Sequence, residues 1–205
     1  MDYSQYQHSR DLAWKVLLEE RVTELPVDVG KLCRQMGIPV KAYRYSRDLL
    51  QYLQVDVDQI DGLATYVQGL PVIFYKDTGP LGRQRFTVAH ELGHILAGDV
   101  IRDGVVHRIR WTEEDPMEQS ANVFASRLLA PACVLWGLDI HSPADIMDLC
   151  GLSYQAAALR ARRLALLYRR EQRFLEQRGK SCFLISPLEQ RVYAQFDDYI
   201  RRMRS

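Results

Sequence analysis

Apolar positions recur along this chain with two different periods, and the switches between them outline its elements. In residues 5–20, Leu12, Val16 and Leu17 mark one face of an amphipathic helix, and Leu25-Pro26-Val27-Asp28 opens a second helix that ends before Gly37. Asp61-Gly62 then leads into a strand over 63–68, Gly69-Leu70-Pro71 reads as a turn, and 72–76 reads as the returning strand of a hairpin. Turn residues make 77–82 a loop. From Phe86 to Ala97 the period becomes 3.6: Val88, Ala89, Leu92, Ile95 and Leu96 form an apolar face, with Thr87, His90, Glu91 and His94 opposite. After a loop over 99–104 and a strand-like run over 105–111, residues 116–130 predict another helix, capped by Asp115 or Thr112 and closed by Pro131. Two short helices around Gly151-Leu152-Ser153 follow, arranged like a helix-turn-helix, and 187–203 forms a last amphipathic helix carrying Val192, Phe196 and Ile200. The pattern predicts an α+β fold with a small sheet and a mainly helical C-terminal extension.

The polar face of the 86–97 helix carries chemistry. His90-Glu91-Leu92-Gly93-His94 puts two imidazoles four residues apart, on one face, with a glutamate beside them. That spacing lets both rings converge on one zinc ion and leaves Glu91 as a general base. Gly93 costs the helix about 1 kcal/mol relative to alanine, which is tolerable where neighbouring backbone must pass close. A catalytic zinc takes three protein ligands and keeps a fourth position open. The metzincin continuation needs Gly at 97 and His at 100; Ala97 and Val100 exclude it. The 116–130 helix offers Glu118, and the small Ala121 and Ala125 on the same face would let it approach closely, with Asn122 one turn on as an orienting partner. His107 is the rival third ligand.

These blocks resemble a known family. Arg83-Gln84-Arg85-Phe86-Thr87-Val88-Ala89 followed by the two-histidine motif, then Glu118-Gln119-Ser120-Ala121-Asn122-Val123-Phe124-Ala125 and Leu128-Leu129-Ala130-Pro131, are similar to the ImmA/IrrE family of metallo-endopeptidases. The likeness extends upstream to Leu25-Pro26-Val27-Asp28 and to Pro71-Val72-Ile73-Phe74-Tyr75, covering most of residues 5–160. It implies a zincin-like peptidase with one Zn2+ per chain on His90, His94 and Glu118 and Glu91 as catalytic base; with the chain's own pattern, the expected division is a zinc metallopeptidase domain over 1–138 and a basic helical region over 139–205. It also implies a protein substrate: a helix-turn-helix repressor of a mobile element or stress operon. Where the family's helix often ends in Gly-His, this chain has Gly98-Asp99.

Peptide hydrolysis through such a site needs an oxyanion donor opposite Glu91, and His141, Tyr66, Tyr75 and His107 are the candidates. The hairpin before the metal helix is the natural place for substrate backbone to add as a strand. Composition adds setting. At 205 residues and 47% hydrophobic the chain can bury a core unaided, and no signal-like N-terminus or long apolar run is seen, which predicts a soluble cytoplasmic protein with no membrane partner. Cys33, Cys133, Cys150 and Cys182 are widely spaced and read as reduced, buried thiols. The net charge of +1 hides an asymmetry: residues 151–205 carry twelve Lys and Arg against five Asp and Glu, a net +7, leaving −6 on the preceding 150. Arg160, Arg162 and Arg163 therefore read either as a nucleic-acid contact or as the solvated face of a helix whose apolar stripe is Ala157, Ala161, Leu164 and Tyr168. The stripe favours the second. A DNA- or repressor-binding module with a structural metal site is the alternative to an enzyme, and Glu91 argues against it, because a structural site needs no base.

Overall fold

The computed structural model describes residues 2–53, 55–100, 115–184 and 186–205. The expected strand at 105–111, with His107, and the alternative cap Thr112 lie outside the described residues. The chain divides into two compact units, Met1–Ala13 with Asp28–Ala125, and Trp14–Val27 with Ser126–Ser205. The described residues are mostly helical with one three-stranded sheet, an α+β composition.

The first unit contains the start of α1 (Tyr3–Glu19), α2 (Val29–Gln35), β1 (Val40–Ala42), α3 (Arg47–Tyr52), β2 (Gly62–Val67), β3 (Leu70–Tyr75), α4 (Leu81–Ala97) and most of α5 (Pro116–Leu129). Asp28 caps α2, accepting from the Lys31 amide at 2.9 Å. The sheet order is β1-β3-β2, with β1 parallel and β2 antiparallel to β3, so among the described residues β2 is an edge strand. The hairpin turns one residue earlier than the sequence suggests. Gln68 and Gly69 both take positive φ, 51° and 77°, the geometry of a tight two-residue turn, so Leu70 and Pro71 already pair with Val67 and Tyr66. Pro71 is tolerated in this central strand because β1 pairs only with 73–75. The Ile73 amide donates to Pro39 on the β1 side, so position 71 points its missing donor past the end of β1.

Side chains alternate across the sheet. Leu63, Val72 and Phe74 pack with Tyr43 and Leu50 on one face, while Gly62, Ala64 and Ile73 turn to the other, where α4 lies. α4 starts at Leu81, five residues before the apolar period becomes visible. Pro80 supplies an extended N-cap, and the Gln84 amide ties the preceding loop by donating to the Asp77 and Gly79 carbonyls at 3.2 and 2.9 Å. Its first turn is exposed at Leu81 and Arg83 and only half-buried between, which is why hydrophobicity missed it.

The second unit contains α6 (Ala132–Gly137), α7 (Pro143–Cys150), α8 (Tyr154–Arg178), α9 (Pro187–Gln195) and α10 (Asp197–Arg204). Ser142 and Ser153 cap α7 and α8, and Gly151 ends α7 in the left-handed region. The two short helices expected here are instead one short helix and a 25-residue one. Arg160 also departs from expectation. It is 1% exposed, and its Nε donates to the Ala130 carbonyl at 2.8 Å, so only Arg162 and Arg163 of the three arginines face solvent. Ala157, Ala161 and Leu164 are buried as expected. The final helix is two helices broken at Phe196, although Val192, Phe196 and Ile200 are all buried. The four cysteines are buried and unbridged. Among the described residues no helix is long and apolar enough to cross a membrane.

Candidate metal centre

α4 brings His90 and His94 onto one face, and their Nε2 atoms lie 3.0 Å apart. α5 delivers Glu118 from its first turn, where the Asp115 side chain caps the helix by accepting from the Met117 amide at 2.8 Å. One carboxylate oxygen, Oε2, is 3.1 Å from His90 Nε2, and the other, Oε1, is 3.3 Å from His94 Nε2. The close approach of the helices depends on Gly93. A methyl there would sit 3.0 Å from the Phe124 ring and 3.4 Å from the Ala121 Cα, so the glycine in α4 leaves room for α5. The close neighbours anticipated for Gly93 are these two residues.

The three donors form a group that can hold a metal ion. Bonds of about 2.0–2.1 Å in tetrahedral geometry separate neighbouring donors by about 3.3 Å; the two Nε2 atoms here are 3.0 Å apart, and a different Glu118 oxygen approaches each of them, at 3.1 and 3.3 Å. The remaining ring nitrogens are also engaged. His90 Nδ1 is 3.0 Å from Asn122 Oδ1, and His94 Nδ1 is 3.0 Å from Asp99 Oδ2. With an acceptor at each Nδ1, the ring proton resides there and the Nε2 lone pair points to the centre. The donor set fits a divalent metal of the zinc type.

Electrostatics agree with a site built for positive charge. Burial pulls the His94 pKa down, but hydrogen bonds to Asp99 and Glu118 and the charges of Glu91 and Glu118 outweigh it and push it up to about 9. Burial raises Glu118, yet the hydrogen bonds and charges of His90 and His94 hold it well below the usual carboxylate range.

Glu91, on the same helix, contributes no donor to the triangle and is only 2% exposed. Its side chain lies against the start of β2: a Cβ built on Gly62 would stand 3.1 Å from both Glu91 Cγ and Oε1, and 2.4 Å from Thr87 Cγ2. Gly62 thus lets the edge strand lie close to the helix beside Glu91. By register Tyr75 pairs with Gly62 and Tyr66 follows four residues on, so both tyrosines share the sheet face that turns toward α4. His141 belongs to the second unit, where it stacks on Tyr168 at 4.2 Å and contacts Asp139 at 2.9 Å. Sequence reasoning missed two participants, Gly62 and Asp99. The signal for Asp99 was available in Gly98-Asp99, a glycine that ends the helix followed by a carboxylate five residues after His94.

Two comparisons complete the description. None of the curated proteins compared with the chain matches it. The peptidase M78 family model, the IrrE N-terminal-like domain, matches residues 44–162, more than half of the 205 residues, and the chain belongs to this family.

Proposed function

From membership in this peptidase family, we propose that the protein is a zinc-dependent endopeptidase with His90, His94 and Glu118 as metal ligands and Glu91 as general base. The observation that carries the reading is the triangle of two Nε2 atoms and one carboxylate, with Glu91 next to it on α4. These three ligands would hold the zinc, which when bound would supply Lewis acidity, lowering the pKa of water to about 7 and polarising a carbonyl. Glu91 takes the proton that the attacking water loses and returns it to the leaving amine, so that one carboxylate serves both halves of the reaction. Its position against Gly62 sets the direction in which that carboxylate can work. Asn122 keeps the His90 ring in place through Nδ1. In this reading β2, the outer strand of the sheet among the described residues, receives the substrate backbone as an added strand, holding the scissile bond near the Gly62 end. Tyr66 and Tyr75 are the oxyanion donors to test first, since they share the α4 face.

The catalytic domain in this reading is zincin-like and spans 1–138, with 139–205 as a basic helical region. The substrate is a helix-turn-helix repressor of a mobile element or stress operon, an assignment that rests on the family resemblance. The test is metal analysis of the purified chain together with Glu91→Gln. The expected result is about one zinc per chain in both proteins, with repressor cleavage lowered by about 10² to 10⁴ in the variant. Cleavage at the wild-type rate by Glu91→Gln would overturn the role of Glu91, and full zinc content in His90→Ala and His94→Ala would overturn the ligand set.

A further inference from the structure

We propose that Asp99 is a positioning residue for the metal site, holding His94 as a ligand through its Nδ1 while making no bond to the metal itself; the proposal rests on the zinc reading above. Asp99 is not one of the three converging donors. Its Oδ2 lies 3.0 Å from His94 Nδ1, on the side of the ring opposite the centre.

The contact is built by the way α4 ends. Gly98 takes φ +79°, a left-handed conformation that reverses the chain after the last turn. The reversal brings the Asp99 amide to the His94 carbonyl at 3.0 Å, the long-range bond of a helix C-terminus closed by glycine. Asp99 therefore grips His94 twice, amide to carbonyl and carboxylate to ring. With the backbone of both residues fixed, few rotamers of either side chain preserve the second bond, and the imidazole is held with Nε2 toward Glu118 and His90.

The two histidines are consequently unequal. The His90 ring is held by a neutral amide from Asn122, whereas the His94 ring is held by a carboxylate. An anionic acceptor draws the Nδ1 proton more strongly and makes the opposite nitrogen a better donor. His94 is also the more enclosed ring, with its side chain 8% exposed against 13% for His90, and the Asp99 side chain is only 19% exposed, so solvent screens this pair little. The chain that carries Gly98-Asp99 has thus placed a second carboxylate behind its metal ligands, and the charge of that carboxylate favours a cation at the site.

The experiment uses the full chain, with zinc affinity measured by competition with a chromogenic chelator and the visible spectrum recorded with cobalt in place of zinc. Asp99→Ala should weaken zinc binding about 10 to 100-fold, the range for loss of a ligand's outer partner. Asp99→Asn keeps an acceptor without charge and should fall between wild type and Asp99→Ala. The cobalt bands should shift or weaken in both, a change that loss of helix capping alone does not produce. Zinc affinity within twofold of wild type and an unaltered cobalt spectrum in Asp99→Ala would overturn the proposal. If that variant does not fold, the same two readings on the near-isosteric Asp99→Asn decide. A wild-type chain that binds no zinc defeats the underlying reading and this proposal with it; zinc bound by wild type, lost in His94→Ala and retained at full affinity in the Asp99 variants defeats this proposal alone.

Discussion

Replacing Gly62 by alanine adds one methyl at the place where the edge strand touches the metal helix. That methyl would lie 2.4 Å from Thr87 Cγ2, more than 1 Å inside the 3.5–4.0 Å at which carbon atoms pack best. Thr87 is buried and β-branched within a helix, so it has little rotational freedom, and β2 or α4 must give way. Forcing a methylene into a packed site costs about 1–3 kcal/mol. Part of that is offset, because alanine restricts the unfolded chain more than glycine and returns about 0.4–1 kcal/mol. The net expectation is about 1–2 kcal/mol of lost stability, read as a lowered midpoint in urea. Activity should fall further than stability implies. The same methyl crowds Glu91 Cγ and Oε1 at 3.1 Å, and a displacement of about 1 Å in a reacting group is worth up to about 10²-fold in rate. Zinc content should stay at wild type. The internal control is Thr87→Ser, which deletes Cγ2: in the Gly62→Ala, Thr87→Ser double variant, most of the lost stability should return. An unchanged urea midpoint and unchanged peptide cleavage in Gly62→Ala, or a double variant no better than the single one, would refute the argument.

Protonation gives a second test. Metal-free His94 titrates at about 9, against 6.5 when unperturbed, so its contribution to folding is fully present below about pH 6.5 and is lost as pH rises through about 9. Zinc must displace that proton, so calorimetry in buffers of different ionisation enthalpy should register proton release on zinc binding at pH 7; no release at pH 7 would contradict the assignment. In the second unit, Arg160→Ala removes a charge-assisted hydrogen bond to the Ala130 carbonyl and should cost about 2–3 kcal/mol in urea unfolding, whereas Arg162→Ala and Arg163→Ala should stay within about 0.5 kcal/mol. Equal effects at all three positions would contradict the burial of Arg160.

The clustering of His90, His94 and Glu118 was legible because each part of it is a local pattern. His90 and His94 are one helical turn apart, and the small Ala121 beside Asn122 in α5 announced a helix that packs closely. Glu118 needed only the cap at Asp115 to be placed on that helix. What escaped was set by contacts that spacing does not encode. Gly62 looks like any glycine at the start of a strand until Thr87 and Glu91 are seen against it. Asp99 gains its role from the left-handed turn at Gly98, which converts the next residue in sequence into a neighbour of His94. Arg160 was legible and was misread. It is three residues after Ala157 and four before Leu164, and so stands in the middle of the apolar stripe, where a long side chain must be buried and must find a carbonyl. The early start of α4 and the break at Phe196 are ends of elements, and apolar periodicity is weakest there.

Residues 14–27 belong to the same compact unit as residues 126–205, and residues 28–125 of the other unit lie between them in sequence. The fastening is specific: the Gln195 amide donates to the Leu17 and Val22 carbonyls at 2.7 Å each, and the Tyr199 hydroxyl donates to the Leu25 carbonyl at 3.4 Å. On the ribosome this order has a cost in time. The segment that carries Trp14 and Leu17 emerges early, but its partners on α9 and α10 are made more than 170 residues later, so its apolar surface must wait through almost the whole of synthesis. His90, His94 and Glu118, the proposed metal ligands, and Glu91, the proposed base, have by contrast all been translated by residue 118. Vectorial synthesis thus allows the chemistry to assemble before the second unit can close, and a chain cut anywhere upstream of Gln195 leaves that early segment permanently without its clasp.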